Sequence, residues 1–263
     1  LRSYARPKQT GASLPAVRRA RWMGPLVAAL AALGVAASLA ACGSSGTSST
    51  PLQTELSYLP AGSPLVLTVH TDPKSPAVRN ALAFLGRFSF APLLESAVIT
   101  RLRQAGVNYD TDIRPLFGNP IAFAITTTPF AQSSGRRYVA AWITHDASAL
   151  NSLVSKSSSG LRKMGSHDGA TVYQGPNVAA AVNGPMLILA STRDAVTSAL
   201  DRHARGGGIT SSAYSSAASG LPADALLDVF GDFRRLLATY PRSTGASAIP
   251  WVKAIRSFGV SLS

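Results

Sequence analysis

Histidine and aspartate lie close together at four places in the chain, a pairing that can ligate a metal or move protons. The pairs are His70/Asp72, His145/Asp146, His167/Asp168 and Asp201/His203. Adjacent residues of a strand point to opposite faces, and residues two apart on a helix do not face each other. No His-Glu-x-x-His motif is present. We therefore predict no metal site, with Asp146 as a helix cap and Asp72 in a turn.

Other catalytic motifs are also absent from the sequence. No Gly-x-Ser-x-Gly elbow marks a nucleophilic serine, and the run Gly206-Gly207-Gly208 lacks the Lys-Ser/Thr of a phosphate-binding loop. We interpret this run as a flexible link. The sequence predicts no catalytic residue and no cofactor, so an enzyme would need distant groups to converge, such as His70 with Asp112 or Asp228.

The only cysteine, Cys42, follows Leu39-Ala40-Ala41 and precedes a Gly/Ser/Thr-rich stretch. This context matches the lipobox of bacterial lipoproteins, in which the chain is cut between Ala41 and Cys42 and the cysteine receives a diacylglyceryl thioether. A basic segment and an uncharged, alanine-rich run precede the site, as in a secretory signal. We expect a lipid-anchored protein on the extracytoplasmic face of the cell membrane, with palmitate-type acylation.

Two alternatives for the leader stay open. The apolar run Gly24–Ala41 could remain uncleaved as an N-terminal membrane anchor, although it is short and only mildly hydrophobic. The pair Arg18-Arg19 could direct twin-arginine export instead of general secretion.

Positive charge is concentrated in the leader. Six of the 25 lysines and arginines precede Cys42, whereas all 12 acidic residues follow it, so the mature chain is only moderately basic. Basic residues are not interleaved with aromatic ones in a stripe, so we expect no nucleic-acid partner. Because Cys42 is the only cysteine, the body contains no disulfide and must fold around a hydrophobic core.

Apolar periodicity and turn residues predict an α+β fold, an antiparallel sheet with helices packed on one face. Trp142 is expected in the core, and Gly106 is expected to close a helix. The predicted strands cover 65–70, 121–127, 138–144, 171–174, 178–182, 186–191, 225–230 and 258–262. The predicted helices cover 76–104 with a break near 86–89, then 146–156, 194–203, 211–219, 233–240 and 250–257.

An internal echo suggests a duplicated unit. Leu59-Pro60-Ala61 precedes the first predicted strand, and Leu221-Pro222-Ala223 precedes another strand 162 positions later. We predict a signal peptide over 1–41, a tether over 42–54, a first α+β unit over 55–205 and an incomplete second unit over 206–263. We accordingly expect the full protein to continue beyond Ser263.

Three turn segments of the chain resemble the corresponding segments of a bacterial family known as domain of unknown function 3352. They are Tyr58-Leu59-Pro60-Ala61 before the first strand, Asp112-Ile113-Arg114-Pro115-Leu116-Phe117-Gly118 before the second, and Leu221-Pro222-Ala223-Asp224. The resemblance covers roughly residues 55–263 and implies a longer protein, without any catalytic residue to transfer.

The sequence therefore favours a non-enzymatic protein that binds a ligand or assists envelope assembly. Its expected partners are the membrane, through the lipid on Cys42, and either an apolar ligand or an envelope protein. The alternatives are a cell-envelope hydrolase with a dispersed active site and a purely structural repeat domain.

Overall fold

The computed structural model describes residues 50–127, 137–157, 160–222, 225–238, 249 and 254–263. Ala41 and Cys42, with the rest of the leader and most of the predicted tether, lie outside the described residues, as does Trp251. Within the described part of the chain, no helix is long and apolar enough to cross a membrane.

Nine strands of the described residues form one sheet, and its neighbouring strands all pair antiparallel, in the order β4-β5-β6-β7-β3-β2-β1-β8-β9. The strands are β1 Leu65–Val69, β2 Ile121–Ile125, β3 Tyr138–Ile143, β4 Arg162–His167, β5 Ala170–Gln174, β6 Ala179–Asn183, β7 Met186–Ala190, β8 Leu227–Asp232 and β9 Ser257–Leu262. The α+β class with an antiparallel sheet is confirmed.

The helices of the described residues are mostly short. They are α1 Pro51–Tyr58, α2 Pro76–Leu85, α3 Ala91–Gln104, α4 Ala147–Lys156, α5 Arg193–Arg205, α6 Ser211–Ala217 and α7 Phe233–Ala238. A π-helical turn, Tyr109–Ile113, and a 3-10 turn, Arg114–Leu116, follow α3. Asp146 caps α4 by accepting hydrogen bonds from the backbone N–H groups of Ser148 and Ala149, as predicted.

Helices cover both faces of the sheet, whereas the sequence predicted one covered face. One core cluster joins Leu56 of α1 and Leu200 of α5 to alternate strand residues such as Ala141. A second cluster joins Leu150 of α4 to the intervening residues, including Trp142. Because successive strand residues point to opposite faces, β3 contributes to both clusters, and its four central residues are all buried.

Two elements were missed in the sequence. Residues 51–54, predicted as tether, form the first half of α1, which begins with Pro51 at its first position and a capping box between Thr50 and Gln53. The polar strand β4 was also missed because it lies at the sheet edge, where none of its residues is fully buried.

The pairing of β1 with β8 relates the two echoing segments. Leu67 lies opposite Val229, which is the residue 162 positions further along the chain. The strands on either side are β2 and β9, each antiparallel to its neighbour. The arrangement β2-β1-β8-β9 is therefore symmetric about the Leu67–Val229 pair. The duplication itself stays a prediction, although strands from both predicted units belong to one sheet.

Candidate functional site

The helices α2 and α3 connect β1 to β2 along the chain and carry the most exposed apolar surface of the described residues. The Ser75 side chain accepts a hydrogen bond from the backbone N–H of Val78, which starts α2, and Pro92 lies in the first turn of α3. The sequence break predicted near Gly86 is confirmed, and it places a short aromatic segment between the two helices.

Five side chains, here called the apolar tip, are exposed around this break. They are Phe84 (57% exposed), Phe88 (37%), Phe90 (51%), Leu93 (71%) and Leu94 (54%). The Phe88 ring lies between the other two, with centroids 5.1 Å from Phe84 and 5.2 Å from Phe90. The rings therefore form one continuous surface rather than scattered apolar residues.

Apolar spacing alone gives the wrong orientation for part of α3. Leu93, Leu94, Val98 and Leu102 recur at helical spacing, which is typical of a core-facing stripe. Leu102 is buried at 3% exposure, but Leu93 and Leu94 point into solvent. The C-terminal half of α3 thus anchors the helix, and its N-terminal half presents leucines at the surface.

The segment carrying the apolar tip is also basic. Between residues 74 and 104 it contains Lys74, Arg79, Arg87, Arg101 and Arg103 against a single acidic residue, Glu95. The segment thus combines exposed apolar side chains with a net positive charge, and Arg87 lies within the break that carries the aromatic rings.

A polar cluster lies at the end of β4. The Nε2 atom of His167 is 2.6 Å from an oxygen of Asp201 on α5 and 3.7 Å from an oxygen of Asp168. The prediction that His167 and Asp168 point to opposite faces of a strand is wrong, because Asp168 lies in the β4–β5 turn with a φ of 46°. The three residues form a group whose donor atoms lie within 4.8 Å of one another.

This cluster has a structural explanation. Arg205 donates a hydrogen bond to the second oxygen of Asp201, at 2.9 Å. His167 and then Arg205 hold the pKa of Asp201 below its usual range. Arg205 therefore balances the charge of Asp201, and the His167–Asp201 hydrogen bond ties the β4–β5 hairpin to α5. His203, two residues from Asp201, instead stacks on Tyr58 with a centroid distance of 4.1 Å, so these two side chains do diverge as predicted.

Two of the three groups named for a dispersed active site approach each other. His70 Nε2 lies 3.9 Å from an oxygen of Asp228, which is buried. Burial raises the pKa of Asp228, and His70 partly offsets this. Asp112 does not join them, because both its oxygens accept hydrogen bonds at 2.7 Å from Lys156.

Glu55 on α1 was missed in the sequence and is fully buried. Its Oε1 accepts a hydrogen bond of 2.9 Å from the backbone N–H of Ile143 on β3, and its Oε2 has no partner among the described residues. Burial raises the pKa of Glu55 to about 9, so the side chain is protonated at neutral pH. The capping box ahead of it could have revealed the helix, although not the depth of burial.

A family model described as "Protein of unknown function (DUF3352)" matches residues 25–250. The chain belongs to the DUF3352 family. No curated protein matches it.

Among solved structures, this DUF3352 chain is similar to TP0453. Crystal form I of TP0453 gives a TM-score of 0.42 at 12% sequence identity, covering 75% of this chain and 70% of that one. Crystal form III gives a TM-score of 0.40 at 11% identity, covering 68% of this chain and 63% of that one. The DUF3352 chain thus spans about two thirds of the TP0453 chains it matches.

The turn motifs that carry the resemblance to DUF3352 have structural roles. Asp112 is buried, accepts a hydrogen bond from the backbone N–H of Asn108 and pairs with Lys156, which in turn lowers its pKa. Leu59 is fully buried, and Pro60 forms an isolated bridge with Gly208. These motifs position α1 and the turn before β2 rather than a reactive group.

Proposed function

We propose that this DUF3352 protein is a non-enzymatic, lipid-anchored extracytoplasmic protein whose apolar tip makes a second contact with the bilayer. The lipobox at Cys42 supplies the first contact. Residues 43–50 extend over at most about 30 Å, so the folded body stays close to the membrane surface that holds its lipid. Its role is to bind or assemble envelope material there.

The exposure of the apolar tip is the observation that carries this proposal. Transfer of one large apolar side chain out of water contributes about 1.5–3 kcal/mol when burial is complete. Five partly exposed side chains would therefore contribute several kcal/mol on entering a bilayer interface. Arg87, which lies within the tip, adds about 1 kcal/mol when it is near an anionic surface. These contributions are comparable to the marginal binding that a single acyl chain provides.

The hydrolase alternative rests on His70 and Asp228. Their 3.9 Å separation is longer than a hydrogen bond, and within the described residues His70 forms no hydrogen bond with a serine or threonine hydroxyl. An activated nucleophile next to the pair would favour this alternative. The non-enzymatic proposal agrees better with the large exposed apolar surface.

The lipid anchor is tested by metabolic labelling with a palmitate analogue. Cys42→Ser should abolish incorporation, whereas Ser44→Ala, a neighbouring tether substitution, should leave it unchanged. Intact-mass measurement of the native protein should find a chain that begins at Cys42 and carries a diacylglyceryl group. A free thiol at Cys42 would contradict the anchor.

The membrane contact of the apolar tip is tested without the anchor. In a Cys42→Ser background, co-sedimentation with phosphatidylglycerol-rich vesicles should fall about tenfold for Leu93→Ser. Leu262→Ser is the matched control, because it makes the same change at a leucine that is 57% exposed on β9, and it should bind like the parent. Equal binding by all three proteins would show that the tip does not contact lipid.

A further inference from the structure

One continuous row of paired residues crosses the sheet of the described residues and separates its two ends. The row takes one residue from each strand, in sheet order Arg162, Gln174, Ala179, Ala190, Val139, Ala124, Val66, Phe230 and Gly259. Because neighbouring strands lie about 4.8 Å apart, the row is about 38 Å long. We call the end of the sheet where β3, β4 and β9 begin and β7 and β8 finish the basic end.

Six exposed cationic residues lie at the basic end, each within four positions of the row. They are Arg162 and Lys163 at the start of β4, Arg193 after β7, Arg137 before β3, Arg234 after β8 and Arg256 before β9. In the part of the chain that the structure describes, none of the six pairs with a carboxylate. Arg235, by contrast, pairs with Asp232 at 3.2 Å. The six cations are therefore available to a partner.

The opposite end of the sheet has the reverse charge. Asp72, Asp146 and Asp168 lie in the short segments that follow β1, β3 and β4 there, with Lys74 as the cation of these segments. Besides Asp232, the acidic residue at the basic end of the described chain is Asp194. Charge is thus separated along the strands, so an anionic partner would be attracted to one end of the sheet.

The distribution of the cations along the row fits an extended anion better than a compact one. The strands next to them are the first, fourth, fifth, eighth and ninth in the sheet order. A single small anion could contact only neighbouring side chains, whereas a linear polymer could contact cations along the whole row. Five of the six residues are arginines, whose guanidinium groups form paired hydrogen bonds with phosphate or carboxylate oxygens.

The surroundings of the cations differ from those of a membrane or nucleic-acid site. A bilayer contact combines cations with exposed apolar side chains, and no large apolar side chain is exposed in the described segments that carry the six cations. Single-stranded nucleic acids stack on free aromatic rings. The rings at the basic end pair with each other instead, since Tyr138 stacks on Phe123 and Phe233 packs edge-on against Phe258. An anionic polymer without bases fits this end best.

We propose that the basic end of the sheet binds a linear polyanion, a polymer chain that carries phosphate or carboxylate groups along its length. The polymer lies along the row of strand ends, and its anionic groups contact the cations from Arg162 on one side of the sheet to Arg256 on the other. Release of counterions provides most of the affinity, so binding weakens steeply as the salt concentration rises. This binding does not involve the apolar tip and goes beyond the bilayer contact proposed above.

The test measures binding of fluorescently labelled long-chain inorganic polyphosphate to the full chain in non-ionic detergent. Replacement of Arg162, Arg193 and Arg234 together by glutamine should weaken binding about tenfold or more and make its salt dependence shallower. All three positions are exposed, so this variant should fold. Absence of saturable binding by the parent protein would overturn the proposal.

The matched control replaces three other exposed arginines, Arg79, Arg101 and Arg103, by glutamine. They lie near the start of α2 and the end of α3, which connect to the sheet at its opposite end, after β1 and before β2. The control removes the same amount of charge and should change binding less than about threefold, because salt screens distant charges. Equal losses in the two triple variants would show that net charge, and not the basic end, governs binding.

Further probes identify the partner. A loss of binding by the basic-end variant with poly-glutamate as well as with polyphosphate would show that carboxylates suffice, and a loss with polyphosphate alone would show that phosphate is required. Leu93→Ser, which tests the bilayer contact, should leave polyphosphate binding unchanged.

Two results would show that the proposed partner is wrong. In the Cys42→Ser background, the basic-end variant could lose binding to phosphatidylglycerol-rich vesicles and keep binding to polyphosphate, in which case the basic end contacts lipid. Tighter binding of the parent protein to single-stranded DNA than to polyphosphate at the same salt concentration would indicate a nucleic acid.

Discussion

Glu55 shows how strongly one buried carboxyl group can depend on its surroundings. It lies at the interface of α1 and β3, where one oxygen accepts a backbone hydrogen bond and the other has no partner among the described residues. Desolvation dominates over that single hydrogen bond, and the pKa rises to about 9. The folded protein therefore retains a proton that the unfolded chain releases near the ordinary glutamate pKa of 4.5.

The sign of the resulting pH dependence follows from this difference. Between about pH 4.5 and 9 the unfolded state binds fewer protons at Glu55 than the folded state, so the free energy of unfolding falls as the pH rises. The slope from this residue is at most about 1.4 kcal/mol per pH unit. Glu55→Gln keeps an oxygen for the Ile143 N–H and removes the titration, so its stability relative to wild type should increase with pH across this window.

Urea unfolding followed by circular dichroism at several pH values measures this effect. Glu95→Gln is the matched control, because Glu95 is the other glutamate of the chain and is exposed on α3. Its stability difference from wild type should change little with pH. A constant difference between Glu55→Gln and wild type would show that Glu55 does not hold a raised pKa in the folded state.

At the scale of elements, the docking of α1 depends on the run of three glycines that we interpreted as a flexible link. Gly206 takes a left-handed φ of 70° and ends α5. Gly208 lies directly against the backbone of Ser57 and forms a bridge with Pro60, and the next residue, Ile209, donates hydrogen bonds to the carbonyl groups of Leu56 and Leu59. The run is a packing contact for α1.

Gly208→Ala should therefore destabilise the fold, because its Cβ would overlap backbone atoms of Ser57 that cannot rotate away. A loss of about 1–3 kcal/mol is typical of such overpacking. Gly207→Ala is the matched control, since its Cβ would meet the Arg202 side chain at 3.4 Å, an ordinary contact. Thermal unfolding should show a lower Tm for Gly208→Ala, and equal Tm values would mean that α1 is not held at this position.

The elements also show what local patterns could predict. Strands with alternating apolar residues and helices with strong caps, such as α4 after Asp146, appear near their predicted positions. The strand β4 has no apolar pattern because its stability comes from pairing with β5 at an edge. Likewise, periodicity does not distinguish a leucine that faces the core, such as Leu102, from one that faces solvent, such as Leu93. Whether such a strand finds a partner, and whether such a leucine is covered, depends on residues that are distant in the sequence.

Local sequence patterns also predict only part of the candidate functional residues. The lipobox is a continuous motif, so the sequence alone could propose Cys42 as a lipidation site, and this site stays a prediction. The apolar tip is a property of a surface, because it depends on which helix faces remain uncovered. The cluster of His167 with Asp201 required a hairpin and a helix to meet, and no spacing in the sequence indicated this contact.

For the whole molecule, the central question is whether residues 206–263 form a separate unit. In the structure β8 pairs with β1 over five residues, and Phe230 of β8 lies in the same core cluster as Val66 and Ala122. Tyr214 of α6 packs edge-on against Phe230, with a centroid distance of 5.3 Å. Separation of residues 206–263 from the preceding unit would expose this shared core. The two predicted units should therefore unfold together.

Hydrogen exchange of the backbone amides provides the test. Amides of β1 and β8 that bond to each other should exchange through the same opening and show equal free energies of exchange under native conditions. The amides of β4, at the other edge, are the internal reference for local fraying and should exchange faster. If the amides of β8 exchange much faster than those of β2, residues 206–263 open independently. The two segments would then be separate units that share a sheet edge, and the symmetry about Leu67 and Val229 would describe a docking contact between them rather than one cooperative core.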